Sequence, residues 1–219
     1  VGIAKRLRAS VDETLAFVPR YNIAPTQPVL AITNDAARCL TELRWGLVPR
    51  WASSPAELKL STFNARIETI ATAPAYQRST RERRCIILAD GFYEWRKNGD
   101  GSKTPLWIHR SDGDAIAFAG LWDVWRRGDD ELASCTIITA AANDFMRVTH
   151  SRMPVALDDD RARAWLTPEV LDPGAAIALL VPDESAATWT MHPVSPRIGN
   201  VRNEDAALIE PTPQGRVNA

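Results

Sequence analysis

Cysteine is scarce in this chain and poorly placed for a disulfide or metal framework. Its three thiols are Cys39, Cys85 and Cys135; the count is odd and the spacing is not that of metal ligands. Each lies in an apolar, strand-like run, which reads as a buried structural thiol. Long apolar runs are missing too. No stretch approaches the length that crosses a bilayer and no signal peptide opens the sequence, so the expectation is a cytoplasmic protein with no membrane partner. Nor is there an excess of one charge sign. With 26 Lys and Arg against 27 Asp and Glu, the net charge is −1, so nucleic acid can be held only by a local basic patch. Internal repeats and low-complexity tracts do not occur, and nothing asks for a metal ion or another cofactor.

What is present fits one domain. A chain of 219 residues, 45% hydrophobic and 24% charged, can close a sizeable core and is not a disordered polymer. Most of it reads as short strands with hairpins between them: 28–33 and 39–47 around the turn at 34–37, 84–97 and 105–110 around a glycine-rich loop, then 115–125 and 132–140. Such even spacing predicts an antiparallel sheet that curls or closes. Helices are expected at 12–17, 73–83, 143–149 with Asn143 as N-cap, and 158–166, with a short one at 174–180. The fold class is therefore α+β, a single domain built on a curled, barrel-like antiparallel sheet with peripheral helices.

Several phrases carry polar groups where a plain structural segment would not. Glu94 follows the apolar run Cys85-Ile86-Ile87-Leu88-Ala89 and sits between Tyr93 and Trp95. Burial there raises a carboxyl pKa, which suits a general acid or base. In Asn64-Ala65-Arg66-Ile67-Glu68-Thr69 the three polar side chains share one face if the segment is extended. An amide, a guanidinium and a carboxylate can orient a phosphate or a sugar hydroxyl; an exposed turn with an ordinary ion pair fits equally. His150, in His150-Ser151-Arg152-Met153-Pro154, is either a residue complementing a helix C-terminus or a proton shuttle. Trp45 reads as core. Trp51, beside Arg50, reads as an exposed ring on which a base can stack. His192 reads as structural and His109 as a surface residue.

Taken in order, Arg20-Tyr21-Asn22-Ile23-Ala24-Pro25-Thr26-Gln27, Trp45-Gly46-Leu47-Val48-Pro49, the Asn64 and Glu94 phrases, His150-Ser151-Arg152-Met153-Pro154 and His192-Pro193-Val194-Ser195 resemble the SRAP family. These are the SOS-response-associated peptidase-like proteins that process abasic sites in DNA. The resemblance runs from about Arg20 to Pro211. It implies a domain over 1–210, with 1–19 divergent or shortened, and a loose tail at 211–219. It also implies an enzyme of the DNA damage response, needing no cofactor, that acts as a monomer on single-stranded DNA containing abasic sites. In the family an N-terminal Cys, exposed when the initiator Met is removed, attacks the ring-opened aldehyde. Its α-amine, with a pKa of about 8, forms a Schiff base, and its thiolate then closes a thiazolidine, leaving a covalent DNA–protein link. Autoproteolysis, hence the peptidase label, and reversal of the link belong to the same implication.

Residue by residue, the family's catalytic Asn, Glu and His fall on Asn64, Glu94 and His150. A phosphate-binding Arg falls on Arg66, and aromatics lining the DNA channel fall on Trp51 and Trp95. Arg152 is expected to touch phosphate as well. Aligning Gly2 with the family's Gly places Val1 at the nucleophile position, where Cys is expected. Three explanations stand: a chain shortened at its start, a variant without the thiol, or substitution by Cys39. An amine alone still permits a Schiff base and β-elimination, the chemistry of a lyase. Two other classes are a non-covalent reader of single-stranded or abasic DNA and a general peptidase, which lacks a nucleophile with evident context here.

Overall fold

Apolar residues spaced for strands and short capped helices organise residues 2–11, 15–58, 61–180 and 188–212, which a computed structural model describes. In chain order the elements are α1 (Gly2–Arg6), β1 (Ser10–Val11), β2 (Pro28–Thr33), β3 (Cys39–Trp45), β4 (Asn64–Arg66), α2 (Gln77–Glu82), β5 (Arg84–Ala89), β6 (Gly91–Lys97) and β7 (Lys103–Arg110). There follow β8 (Ile116–Arg127), β9 (Asp130–Ala141), α3 (Asp144–Arg147), β10 (Arg152–Pro154), α4 (Asp159–Trp165), α5 (Pro173–Ala178) and β11 (Trp189–Pro193). The helix starts are chemically specified. Asn143, Asp158 and Asp172 each accept a backbone N–H from the first turn of α3, α4 and α5, and α5 carries Pro at its beginning.

β3, β2, β5, β8 and β9 pair in that order, and β3 pairs back onto β9, so five strands close a barrel. Within that ring only the β3–β9 closure is parallel. Alternate residues of each strand serve two apolar layers, as the two-residue period requires. Ile32, Ile86 and Leu121 pack with Ala162 and Trp165 of α4, Ala176 of α5 and Ile3 and Ala4 of α1. Ala31, Ile87 and Phe118 pack with Leu106, Ile108 and Trp189. Full burial of a side chain such as Ile86 contributes roughly 1.5–3 kcal/mol.

β6, β7 and β11 form a second sheet. The apolar stretch 84–97 is thus two strands in two sheets, not one, and the break falls at Asp90. Gly91 makes the crossing possible, because a Cβ there would stand 2.5 Å from both the Ile108 carbonyl and the Trp107 ring. Helix 73–83 is shorter than expected, covering Gln77–Glu82. The expected helix at 12–17 is not helical at 15–17, and residues 12–14 lie outside the described residues. Pro211 and Thr212 are held by a bond from Thr212 N–H to the Pro193 carbonyl, 2.9 Å; the rest of the expected tail, 213–219, lies outside the described residues. Cys85 and Cys135 are buried, and burial pushes both thiols up, whereas Cys39, at the start of β3, is only partly covered. His109 is half-buried, stacked on Trp107 and edge-on to His192. No helix among the described residues is long and apolar enough to cross a membrane.

Candidate active site

The end of β9 is the platform on which the polar phrases meet. Along one edge β9 pairs with β8 as far as Gly120↔Ile137, and β10 then takes over with Pro154↔Thr139. Along the other edge β3 gives way to β4, which runs parallel with Asn64↔Ile137 and Arg66↔Thr139. Thr139 is therefore flanked by the Asn64 phrase on one side and the His150 phrase on the other. In β4 Ala65 is buried while Asn64 and Arg66 face out. Neither the Asn64 amide nor the Arg66 guanidinium has a hydrogen-bond or ion-pair partner among the described residues. Glu68 lies beyond the strand in the following turn, so the three polar residues do not share one ladder.

Arg152, the first residue of β10, reaches across to Glu68. Its Nη1 donates to Glu68 Oε1 at 2.6 Å and its Nη2 to Glu68 Oε2 at 3.0 Å. Nη2 also donates to the Thr139 carbonyl at 2.5 Å. That contact with Arg152, helped by the charge of Arg66, holds the Glu68 carboxyl below its ordinary value. With a folded pKa below the unfolded one, the pair's stabilising effect is present above the ordinary carboxylate range and is lost as pH falls through the folded value.

His150 follows α3, and its main-chain N–H closes on the Met146 carbonyl at 2.9 Å. Its Nδ1 lies 3.0 Å from the Arg152 backbone nitrogen and 3.1 Å from the Arg152 carbonyl; when Nδ1 accepts that N–H, the proton of the neutral ring sits on Nε2. The same Nδ1 lies 4.0 Å from Glu94 Oε1. Glu94 comes from β6, in the other sheet. It is not enclosed, as the sequence around it suggested: 28% of its side-chain surface is accessible, and 49% of that of His150. The reason lies in the strand's alternation. Phe92 packs inward against Phe118 and Trp189, and Glu94, two residues on, leaves that face at the margin of the core.

Tyr93 and Trp95 lie on the opposite face of β6. Tyr93 packs on Trp107, and its hydroxyl donates to the Tyr21 carbonyl at 2.7 Å, kept protonated by burial and by Glu204, which push its pKa up. Trp95 is 41% exposed and Trp51 55%. Trp51 touches the Pro74 carbonyl at 3.4 Å, and no hydrogen bond or ion pair ties either indole to the Glu94–His150 cluster. Val1 lies outside the described residues; Gly2 opens α1, whose Arg6 is anchored to Asp114 and Asp159. No group of three or more His, Cys, Asp or Glu among the described residues is arranged to hold a metal ion.

Residues 2–201 match the model of the family described as SOS response associated peptidase (SRAP). The chain belongs to the SRAP family. It is 39% identical over 196 residues to the abasic site processing protein YoaM of Bacillus subtilis, covering 89% of this chain and 86% of that one. To the abasic site processing protein YedK of Escherichia coli it is 35% identical over 210 residues, covering 94% and 92%. A crystal structure of a protein from Bacteroides thetaiotaomicron superposes with a TM-score of 0.77 at 26% identity, over 85% of this chain and 82% of that one. SRAP membership accounts for the ordered phrases, yet some of them are structural. Asn22 is buried and its amide faces the carbonyls of Ile198, Asn200 and Asn203 at 3.1–3.2 Å. Glu204 accepts from the Tyr21 and Asn22 backbones and from Arg20. His192 Nε2 lies 2.8 Å from the Ile209 carbonyl. Glu204 was not singled out in the sequence; its only linear signal is the acidic residue closing the polar run 199–204.

Proposed function

We propose that this SRAP protein processes abasic sites in single-stranded DNA through a Schiff base formed by the amine of its native N-terminal residue. The observation that carries the reading is the meeting of Glu94 and His150 from separate elements, 4.0 Å apart and open to solvent, with Asn64 and Arg66, which have no hydrogen-bond or ion-pair partner among the described residues, across β9 from the His150 phrase. The relatives named abasic site processing proteins support its coarser part, the abasic site as substrate. In the reaction the amine nitrogen bonds to the sugar aldehyde carbon, and the carbinolamine oxygen leaves as water. Glu94 takes the proton that the amine loses and returns one to the departing oxygen. His150 opens the sugar ring by taking the proton of the anomeric hydroxyl and giving one to the ring oxygen, and it supports reversal. Asn64 orients the N-terminal residue, and Arg66 holds a phosphate. A leading Cys adds a thiolate that closes a thiazolidine; an amine alone stops at the Schiff base or proceeds to β-elimination.

Borohydride trapping on a single-stranded abasic oligonucleotide tests this. Wild type gives a trapped adduct, and Glu94→Gln loses at least about a hundredfold in trapping rate while its binding persists. Equal trapping by the two proteins removes Glu94 from the chemistry. Exposed Trp51 and Trp95 favour a second reading, non-covalent recognition; a wild type that shifts the oligonucleotide but is never trapped supports that one instead.

A further inference from the structure

The Arg152 guanidinium commits three of its N–H donors within the protein. Of its five N–H donors, one on Nη1 and one on Nη2 go to Glu68, and the second on Nη2 goes to the Thr139 carbonyl. Nε is buried without a partner, which leaves one N–H on Nη1. The side chain is 20% exposed. These contacts make the side chain a strut joining the turn after β4, the end of β9 and the start of β10. The residue that the strut holds is the one whose backbone holds His150. The Arg152 N–H meets Nδ1 at 3.0 Å and the Arg152 carbonyl lies 3.1 Å from the same nitrogen, so this one residue can serve both the neutral ring and the imidazolium.

We infer that Glu68 is a positioning residue that acts through Arg152 to fix the orientation and tautomer of His150. The inference rests on the reading of His150 as a proton carrier in the reaction proposed above. Glu68 clamps the Arg152 side chain, and with it the first residue of a three-residue strand. The charged groups that meet His150 are Glu94 from β6 and Arg152 from β10, through its backbone. Asp144 and Arg147 of α3 pair with each other at 3.0 Å.

The test is nitrogen NMR of the His150 ring through a pH titration, in wild type, Glu68→Gln and Glu68→Asp, alongside borohydride trapping on the abasic oligonucleotide. Glu68 is exposed, so the variants fold. In Glu68→Gln the ratio of the two neutral His150 tautomers departs from that of wild type, while trapping slows about tenfold. Glu68→Asp keeps the charge and restores both toward wild type. A His150 tautomer ratio identical in wild type and Glu68→Gln overturns the inference. If His150 responds but wild type traps no DNA, the positioning role stands and the abasic-site reading falls.

Discussion

Arg84 is the most deeply buried charge in the described chain, and no carboxylate meets it. Its guanidinium donates to carbonyls: Nε to Trp165 at 2.9 Å, Nη1 to Arg81, and Nη2 to Thr167 and Glu169 at 2.5 and 2.9 Å. Arg81 lies in the last turn of α2, and Trp165 is the last residue of α4, so one cation satisfies carbonyls that two helix ends leave without partners. Burial lowers its pKa to about 10, opposed by Glu169, and it remains charged at neutral pH. Arg84→Met would strip the donors from four carbonyls. Since a hydrogen bond to a charged group is worth about 1.5–3 kcal/mol, unfolding in urea should show a loss of about 3 kcal/mol or more. A loss below about 1 kcal/mol would mean that the helix ends find other donors. In the sequence Arg84 is merely the residue before Cys85-Ile86-Ile87, and nothing local says where its side chain ends. Glu94 failed in the opposite way. Its apolar neighbours in sequence imply burial, but alternation sends them to faces that it does not share.

Elements set by local chemistry were legible and those set by distant pairing were not. The hairpins β2–β3 and β8–β9 follow from two-residue alternation on either side of a turn, and α3 and α4 follow from Asn143 and Asp158 as caps. β4, β10 and β11 have three to five residues each and exist because a partner strand is present. The parallel β4–β9 pairing carries no signature in a three-residue segment, although it places Arg66 beside Thr139. Asn22 belongs to this non-local class. Its amide joins the segment before β2 to the turns after β11, next to the point where Tyr93 of β6 is held. Asn22→Ala would leave buried carbonyls without a donor, a cost of about 1–3 kcal/mol. Hydrogen exchange should then quicken in 196–203 before it changes in the β8–β9 hairpin. Uniform quickening across both would show that the clamp is part of the global unit and not a local lock.

On the scale of the whole molecule the charges nearly cancel, at 26 positive and 27 negative residues, so attraction to DNA depends on which cations the fold leaves unspent. Arg6, Arg20, Arg152 and Arg197 are paired with Asp159, Glu204, Glu68 and Asp205. Arg50 shares the buried Asp123 with Arg83. Arg66 is exposed and has no such partner among the described residues, on the strand that also carries Asn64. A residue that neutralises one phosphate contributes about 0.7 to the slope of log affinity against log salt on a single strand. Arg66→Ala should therefore flatten that slope by about 0.7 and weaken binding most at low salt. Arg152→Ala, by contrast, removes a cation already neutralised by Glu68, and its salt slope should stay that of wild type even where trapping slows. Titrating a fluorescent single-stranded oligonucleotide at four salt concentrations separates the two. A slope unchanged in Arg66→Ala but flattened in Arg152→Ala would exchange their roles, making Arg152 the phosphate contact and Glu68 a partner that it abandons when DNA arrives.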